Sequence, residues 1–396
     1  MKFEKAFIPY GGYYCSPFAK WQGTLSNDNS IVLGAETAKR WFATKNWDTP
    51  LVDYTYHGMT VVQNQCFYGS TWANAIMGMD VPGMTIIQAC STATTCIHAA
   101  AQAVELGTQT TPFCFLADRL SNAPHLIWPN PKGPGGEVIS ENWNMDNINC
   151  DPSTGQGMLN TAENVAKLVG ATREEADALA VRRYEQYTMA LKDDRAFQKR
   201  YMFPIEVKVN RKKTIVFDAD EGITPVTLEG IARLRTVKED GIHTFASQTH
   251  PADGNAGIIV TTKERAQNLS SDPNTPIQIL SYGFARVERA HMPAAPVPAA
   301  QMALDRAGIT INDCKVIKTH NPFAANDLYF AKKFNIDVNT MDNYGCSMIF
   351  GHPQAPTVAR LVMEGIEEAV MLGGGYVLIA GCAAGDTGAA LVLRVG

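Results

Sequence analysis

The chain has 396 residues, of which 45% are hydrophobic and 18% charged, with a formal net charge of −5. That length points to two or three domains with a large buried interior. The negative balance leaves no basic excess to neutralise phosphates, so nucleic acid is excluded as the main partner, and no apolar run approaches the ~20 residues of a membrane helix.

The nine cysteines (Cys15, Cys66, Cys90, Cys96, Cys114, Cys150, Cys314, Cys346 and Cys382) are scattered without a CxxC pair. An odd count with no signal peptide argues against a disulfide scaffold. The eight histidines lack HxxxH-type spacing, so no metal site is expected. A reduced, cytoplasmic protein is the expectation.

In chain order, Lys5–Tyr10 reads as an opening strand and the aromatic, Gly-containing stretch through Trp21-Gln22-Gly23 as a loop. Ser30–Ala43 has helical periodicity. Thr60–Gln63 and Ile86–Ala89 are short apolar runs flanking a helical stretch at Trp72–Met79, and Phe113–Ala117 is a further buried strand. Such alternation implies a mostly parallel sheet covered by helices. Residues 121–157, rich in Pro, Gly, Asn and Trp, show no sustained period, and long loops in compact proteins are usually functional. A helix begins near Thr161; Thr172-Arg173-Glu174-Glu175 is a capping box for another, running to Leu191. Val207–Phe217 resembles a charged hairpin, and its Lys208–Lys213 cluster reads as a solvated edge. Strands at Gly257–Thr261, Ile277–Ser281, Cys314–Lys318, Val377–Ala380 and Ala389–Arg394 then alternate with helices at Pro296–Ala307, Phe323–Phe334 and Thr357–Val370. The outer thirds look like two copies of one α/β plan, with the middle block inserted.

The chemistry gathers at a few points. Cys90 ends the apolar run Met84–Ala89 and precedes the Ala-rich helix ending at Leu106-Gly107. A thiol at a helix N-terminus has a lowered pKa, which makes Cys90 a candidate nucleophile; a buried structural cysteine is the alternative. Cys96, farther into the helix, reads as packing. Gly351-His352-Pro353 holds a histidine in a rigid loop, Gly381-Cys382-Ala383-Ala384-Gly385 sets a second cysteine in a small-residue turn, and His320-Asn321 follows a strand directly. Singly, each histidine reads as structural and Cys382 as a small hydrophobe. Jointly they supply a nucleophile, a base, a second thiol to move a proton at carbon, and an oxyanion donor.

These residues carry a resemblance to the thiolase superfamily across nearly the whole chain. Ser121-Asn122-Ala123-Pro124 resembles its SNAP stretch. Met158-Leu159-Asn160-Thr161-Ala162-Glu163-Asn164-Val165-Ala166 followed by Thr172–Glu175 resembles its M-G-x-T-A-E-x-V-A…S-R-E-E pattern. Pro296–Ala299, Phe323-Ala324-Ala325, Gly351-His352-Pro353 and Cys382 follow in the family's order. The resemblance implies an α/β fold, a duplicated αβαβα layered arrangement with an inserted loop domain. Residues 1–120 would form the N-terminal half, 121–250 the loop domain covering coenzyme A, and 251–396 the C-terminal half. It further implies an acyltransferase, a homodimer or dimer of dimers, and coenzyme A as co-substrate with no permanently bound cofactor. Cys90 would accept the acyl group, His352 activate it, and Cys382 move the α-carbon proton. His320, in place of the Asn of N-E-A-F as in the sterol-carrier-type branch, would bind the thioester oxygen with Asn321 nearby.

The departures shape the pocket. Ala384 replaces a Gly of CxG whose N–H supports an oxyanion, a role Ala keeps unless the backbone needs φ > 0. Gly157 replaces a CoA-contacting His before Met158, and Thr249-His250 replace Ser-Gly near the pantetheine. Gln354–Thr357 replace small residues after GHP, and Ser91-Thr92 replace Gly and Ser after the nucleophile. The expected activity is therefore thiolysis of a 3-oxoacyl-CoA with an unusual acyl group. The aromatic segments Tyr10–Trp21, Trp128 and Trp143 allow a bulky or aromatic acyl pocket, and read equally well as core and lid packing. The variations also resemble the thiolase subunit that cleaves benzoylsuccinyl-CoA beside a small zinc-binding OB-fold partner. A ketoacyl-synthase-like condensing enzyme and a non-catalytic acyl-CoA-binding subunit are the alternatives; the retained second thiol weighs against both.

Overall fold

The computed structural model describes residues 2–45, 47 and 51–396. Two mixed sheets form its frame. The first runs Tyr13–Cys15, Ala252–Ile259, Pro112–Arg119, Tyr54–Gly58, Gly83–Ile86, with Ala19–Lys20 beside Ala252–Ile259. The second runs Phe7–Ile8, Ile277–Arg286, Thr387–Val395, Gly375–Ala383, Cys314–His320. Helices cover both faces of the central strands, so Pro112–Arg119 and Ala252–Ile259 are buried throughout, their polar residues included.

The helices Thr92–Leu106 and Gln354–Met371 lie between the sheets and touch both. Ser30–Thr44 and Gly69–Met77 cover the outer face of the first sheet, and Pro296–Ala307 covers that of the second. Ala324–Phe334 joins this last layer through Phe330, which packs with Leu378 and Ala380. The result is the five-layer αβαβα arrangement. Every residue from 355 to 369 of the central helix is buried, so its charges are paired, as buried charges must be. Arg360 binds Asp220 at 2.8 Å and Glu364 at 3.0 Å, Tyr201 Oη donates to Glu364 at 2.7 Å, and Arg200 meets Glu367 at 2.7 Å. Asp220, Arg200 and Tyr201 all belong to the inserted block, so these pairs fasten it to the core.

Several expectations are corrected. The strand expected at Thr60–Gln63 lies earlier, at Tyr54–Gly58, because the Thr60 and Val61 N–H groups donate to the Asp118 carboxylate at 2.7 and 3.0 Å instead of to a strand. The run at Ile86–Ala89 likewise ends its pairing at Ile86, where the chain turns towards Cys90. A boundary at 251 does not divide the sheets: Ala252–Ile259 pairs with Pro112–Arg119 in the first sheet, and Phe7–Ile8 crosses to the second. Within 121–157, a hairpin (His125–Pro129 with Val138–Asn142) and a helix (Trp143–Asn149) emerge. The capping box forms as expected: Glu175 N–H donates to Thr172 Oγ1 at 3.2 Å, and Thr172 N–H to Glu175 Oε2 at 2.9 Å.

Candidate active site

Cys90 sits in the turn Ala89–Ser91 between the strand Gly83–Ile86 and the helix Thr92–Leu106. Ala89 takes φ 44°, a left-handed conformation that costs a non-Gly residue roughly 1–2 kcal/mol. Thr92 clasps this turn: its Oγ1 accepts from Gln88 N–H at 2.9 Å and donates to Ala89 O at 2.7 Å. The side chain of Cys90 opens onto a cavity of about 380 Å³ whose wall includes Trp143, Ile148, Met158, Gln354 and Ala384.

Burial pushes the Cys90 thiol up to about 12, against the opposing pull of the backbone N–H groups of Ala384 and Cys90 itself. The helix N-terminus therefore does not make this thiol a standing thiolate. Dry surroundings outweigh the dipole. Ala384 is absent from the residues with positive φ, so its Cβ is accommodated and its N–H points at the sulfur unstrained.

Two imidazoles face the thiol. His320 ends the strand Cys314–His320, and His352 follows Gly351, whose φ is 86°. Their rings lie 4.0 Å apart at 33°, and the ligating atoms of Cys90, His320 and His352 are all within 4.8 Å of one another. Burial drives both rings towards the neutral form, His320 to about 3 and His352 well below 6.5.

Hydroxyl groups set the tautomers. Thr357 Oγ1 donates to Pro353 O at 2.6 Å, so at 2.7 Å from His352 Nδ1 it accepts. Ser347 Oγ donates to Asn321 Oδ1 at 3.1 Å, so at 2.8 Å from His320 Nδ1 it accepts as well. Both rings thus carry their hydrogen on Nδ1 and present a bare Nε2, and neither Nε2 has a hydrogen-bond partner among the described residues. Cys382, at the end of Gly375–Ala383, is buried. Its thiol pKa is raised by burial and by nearby Cys90, and its sulfur accepts Asn326 Nδ2–H at 3.3 Å.

The other expected residues fall into three groups. Met158 lines the Cys90 cavity. His250 lines a second cavity of about 340 Å³ with Phe245, Ala246, Met348 and Ile349, and its carbonyl accepts His352 N–H at 2.9 Å. Thr249 and Asn321 are structural ties instead: Thr249 Oγ1 donates to Ser347 O at 2.5 Å, and Asn321 Nδ2 donates to Asp327 at 2.7 Å while its Oδ1 accepts from Ser347 and Met348. With its amide so engaged, Asn321 holds Ser347 behind His320. A side chain at Gly157 is barred, since a Cβ there would lie 2.7 Å from Asn149 O.

The aromatic readings also separate. Trp143 lines the Cys90 cavity, its indole N–H anchored on Thr60 O at 2.9 Å. Tyr13 and Tyr14 are core: Tyr13 Oη donates to Glu367 at 2.6 Å and Tyr14 packs on Trp41 at 5.1 Å. Trp128 lies on the exposed hairpin, bound to Glu141 at 2.7 Å.

Sequence reasoning missed Thr357, Ser347, Asn326 and Asp118. Asp118 accepts from Thr60, Val61 and, at 2.6 Å, the Ala355 N–H that opens the central helix; burial pushes its carboxyl up to about 6. It joins the loop beside Trp143 to the helix that follows His352.

Comparison with known proteins identifies the family. Residues 13–264 match the family "Thiolase, N-terminal domain" and residues 274–395 "Thiolase, C-terminal domain". The acetyl-CoA acetyltransferase of Syntrophomonas wolfei is 28% identical over 401 residues, covering 96% of each chain. The Beta-ketothiolase BktB of Cupriavidus necator is 28% identical over 328 residues, covering 81% of each. The same fold is found in human mitochondrial 3-ketoacyl-CoA thiolase (TM-score 0.90, 23% identity, 99% of each chain) and in the Bacillus anthracis acetyl-CoA acetyltransferase (TM-score 0.91, 24% identity, 100% of each). With both family domains matched in order and two thiols and two histidines gathered between the layers, the chain belongs to the thiolase family of acyltransferases.

Proposed function

We propose that this chain is a thiolase that cleaves a bulky, aromatic 3-oxoacyl-CoA with coenzyme A through an acyl-Cys90 intermediate. The observation that carries the reading is the His352 ring beside the Cys90 thiol, its Nδ1 held by Thr357 and its Nε2 without a partner among the described residues. As Cys90 Sγ attacks the 3-keto carbon, His352 Nε2 takes the thiol proton, so no resting ion pair is required. The ketone oxygen gains charge beside the N–H groups of Cys90 and Ala384. The C2–C3 bond then breaks, its electron pair passing into the enolate of the departing acyl-CoA, and the Cys382 thiol protonates C2. The thioester oxygen of that enolate is bound by the new Nε2–H of His352 and by a water whose other hydrogen rests on the bare Nε2 of His320. Cys382, now a thiolate, takes the proton of incoming CoA as its sulfur displaces the acyl group, and His352 returns the proton to Cys90.

Trp143, Ile148 and Met158 on the cavity wall support a large, apolar acyl group. The narrower benzoylsuccinyl reading and its small zinc-binding partner rest on the sequence variations around the site. Coenzyme A is assigned to the cavity beside His250. A second copy of the chain is the expected partner. The strand Gly83–Ile86 ends its sheet, with exposed Met84, Ile87, Phe67 and Tyr68 around it, and an open apolar edge of this kind favours pairing. Free cysteines throughout suit a reducing compartment such as the cytoplasm.

Assay of a 3-oxoacyl-CoA panel with free CoA tests the reading. Thiolysis that prefers 3-aryl substrates over acetoacetyl-CoA, and that vanishes in Cys90→Ser, is expected. Turnover of acetoacetyl-CoA alone would overturn the acyl assignment, and no turnover of any member would overturn the activity.

A further inference from the structure

Sequence spacing shows no metal motif because the ligating groups that do converge come from three distant segments, at residues 90, 320 and 352. We propose that Cys90, His320 and His352 form a three-ligand site for a thiophilic divalent cation, Zn²⁺ above all, whose binding masks the nucleophile reversibly.

Three observations carry this. First, the donor atoms all lie within 4.8 Å of one another. Around a zinc ion, with bonds of about 2.0–2.1 Å to nitrogen and 2.3 Å to sulfur, they would stand roughly 3.3–3.5 Å apart. The required closure is of the size of a side-chain adjustment. Second, both Nε2 atoms are buried and without a hydrogen-bond partner among the described residues. Third, each Nδ1 hydrogen is held by a hydroxyl, Ser347 behind His320 and Thr357 behind His352. That is the outer support which fixes a ligating imidazole with its lone pair towards the metal.

The donor set decides the cation. One thiolate and two imidazoles favour zinc and disfavour the hard ions Mg²⁺ and Ca²⁺, which need oxygen ligands. The nearby carboxylate, Asp118, already accepts from Thr60, Val61 and Ala355. The adjoining cavity leaves the fourth position to water or to an incoming thiol. On binding, the Cys90 S–H bond breaks, a sulfur–zinc bond forms and the proton goes to solvent. With its sulfur pair engaged, Cys90 cannot attack a carbonyl, and His352 cannot serve as base. Zinc and acyl-CoA would therefore exclude each other.

The test uses the full chain stripped of metal by a chelator and then titrated with Co²⁺ and Zn²⁺ in the absence of substrate. One Co²⁺ per chain should bind, with a thiolate-to-cobalt charge-transfer band, and Zn²⁺ should displace it. Prior alkylation of Cys90 with iodoacetamide should abolish the band. His320→Ala should weaken binding about tenfold or more, whereas replacing exposed Cys150 by Ser should change nothing. A spectrum without the thiolate band, or one unchanged after Cys90 alkylation, would overturn the site. If His320→Ala does not fold, the alkylation comparison on the native chain decides alone. Because no turnover is measured, loss of the proposed thiolysis and loss of this site are separate results.

Discussion

His352 and His320 stand 4.0 Å apart with their Nδ1 atoms on hydroxyls and their Nε2 atoms bare. This pairing places two uncharged acceptors beside a protonated thiol, and the behaviour of the site follows from it.

Thr357 should act as a positioning residue for His352. Thr357→Val removes the acceptor of the Nδ1 hydrogen, freeing the ring to turn or to change tautomer. The expected loss is about 10–100-fold in kcat with little change in KM, and Thr357→Ser should restore most of it. Steady-state kinetics on the three proteins checks this; an equal loss in Thr357→Ser would point to packing instead.

The resting thiol should titrate high. With Cys90 pushed up to about 12 by burial, its alkylation by iodoacetamide in the metal-free chain should rise about tenfold per pH unit between pH 7 and 9, tracking the thiolate fraction. A rate already level below pH 8 would mean a preformed thiolate–imidazolium pair.

Trp143 should set acyl preference. Its indole is fixed by Thr60 O and lines the Cys90 cavity. Trp143→Ala should therefore lower kcat/KM for an aromatic substrate relative to a short-chain one by roughly tenfold or more, as the loss of a pocket wall does. Equal effects on both substrates would remove Trp143 from the specificity account.

Much of the site was legible because its chemistry rides on short motifs: Cys90 before an Ala-rich helix, His352 between Gly and Pro, Cys382 among small residues. The supports were not. Thr357, Ser347 and Asn326 are ordinary polar residues whose roles depend on where a distant ring or sulfur comes to lie. Thr60–Gln63 read as a strand because its composition is apolar, yet Asp118, some sixty residues on, takes its N–H groups. The hairpin at 125–142 was hidden by its Pro and Gly content. The sheet exchange of Phe7–Ile8 and Ala252–Ile259 leaves no local signal at all.

His57 makes a stability prediction. It is buried against Phe115 at 5.0 Å, both ring nitrogens lack partners among the described residues, and burial lowers its pKa to about 3. Its folded pKa lies below the unfolded value of about 6.5. The unfolded chain therefore binds the extra proton, and stability falls as pH drops from 6.5 towards 3. His57→Leu removes that loss, so its stability relative to the parent should be greater at pH 5 than at pH 8 by about 2 kcal/mol. Denaturant unfolding at the two pH values measures it; no difference between them would mean that His57 is paired or solvated.

The central claim is the acyl transfer to Cys90. Intact-protein and peptide mass spectrometry after incubation with a 3-aryl-3-oxoacyl-CoA, without free CoA, reads it directly. The account predicts a mass gain equal to one aroyl group, located on the Cys90 peptide and removed when CoA is added. No adduct, or an adduct on Cys382 in place of Cys90, would contradict it.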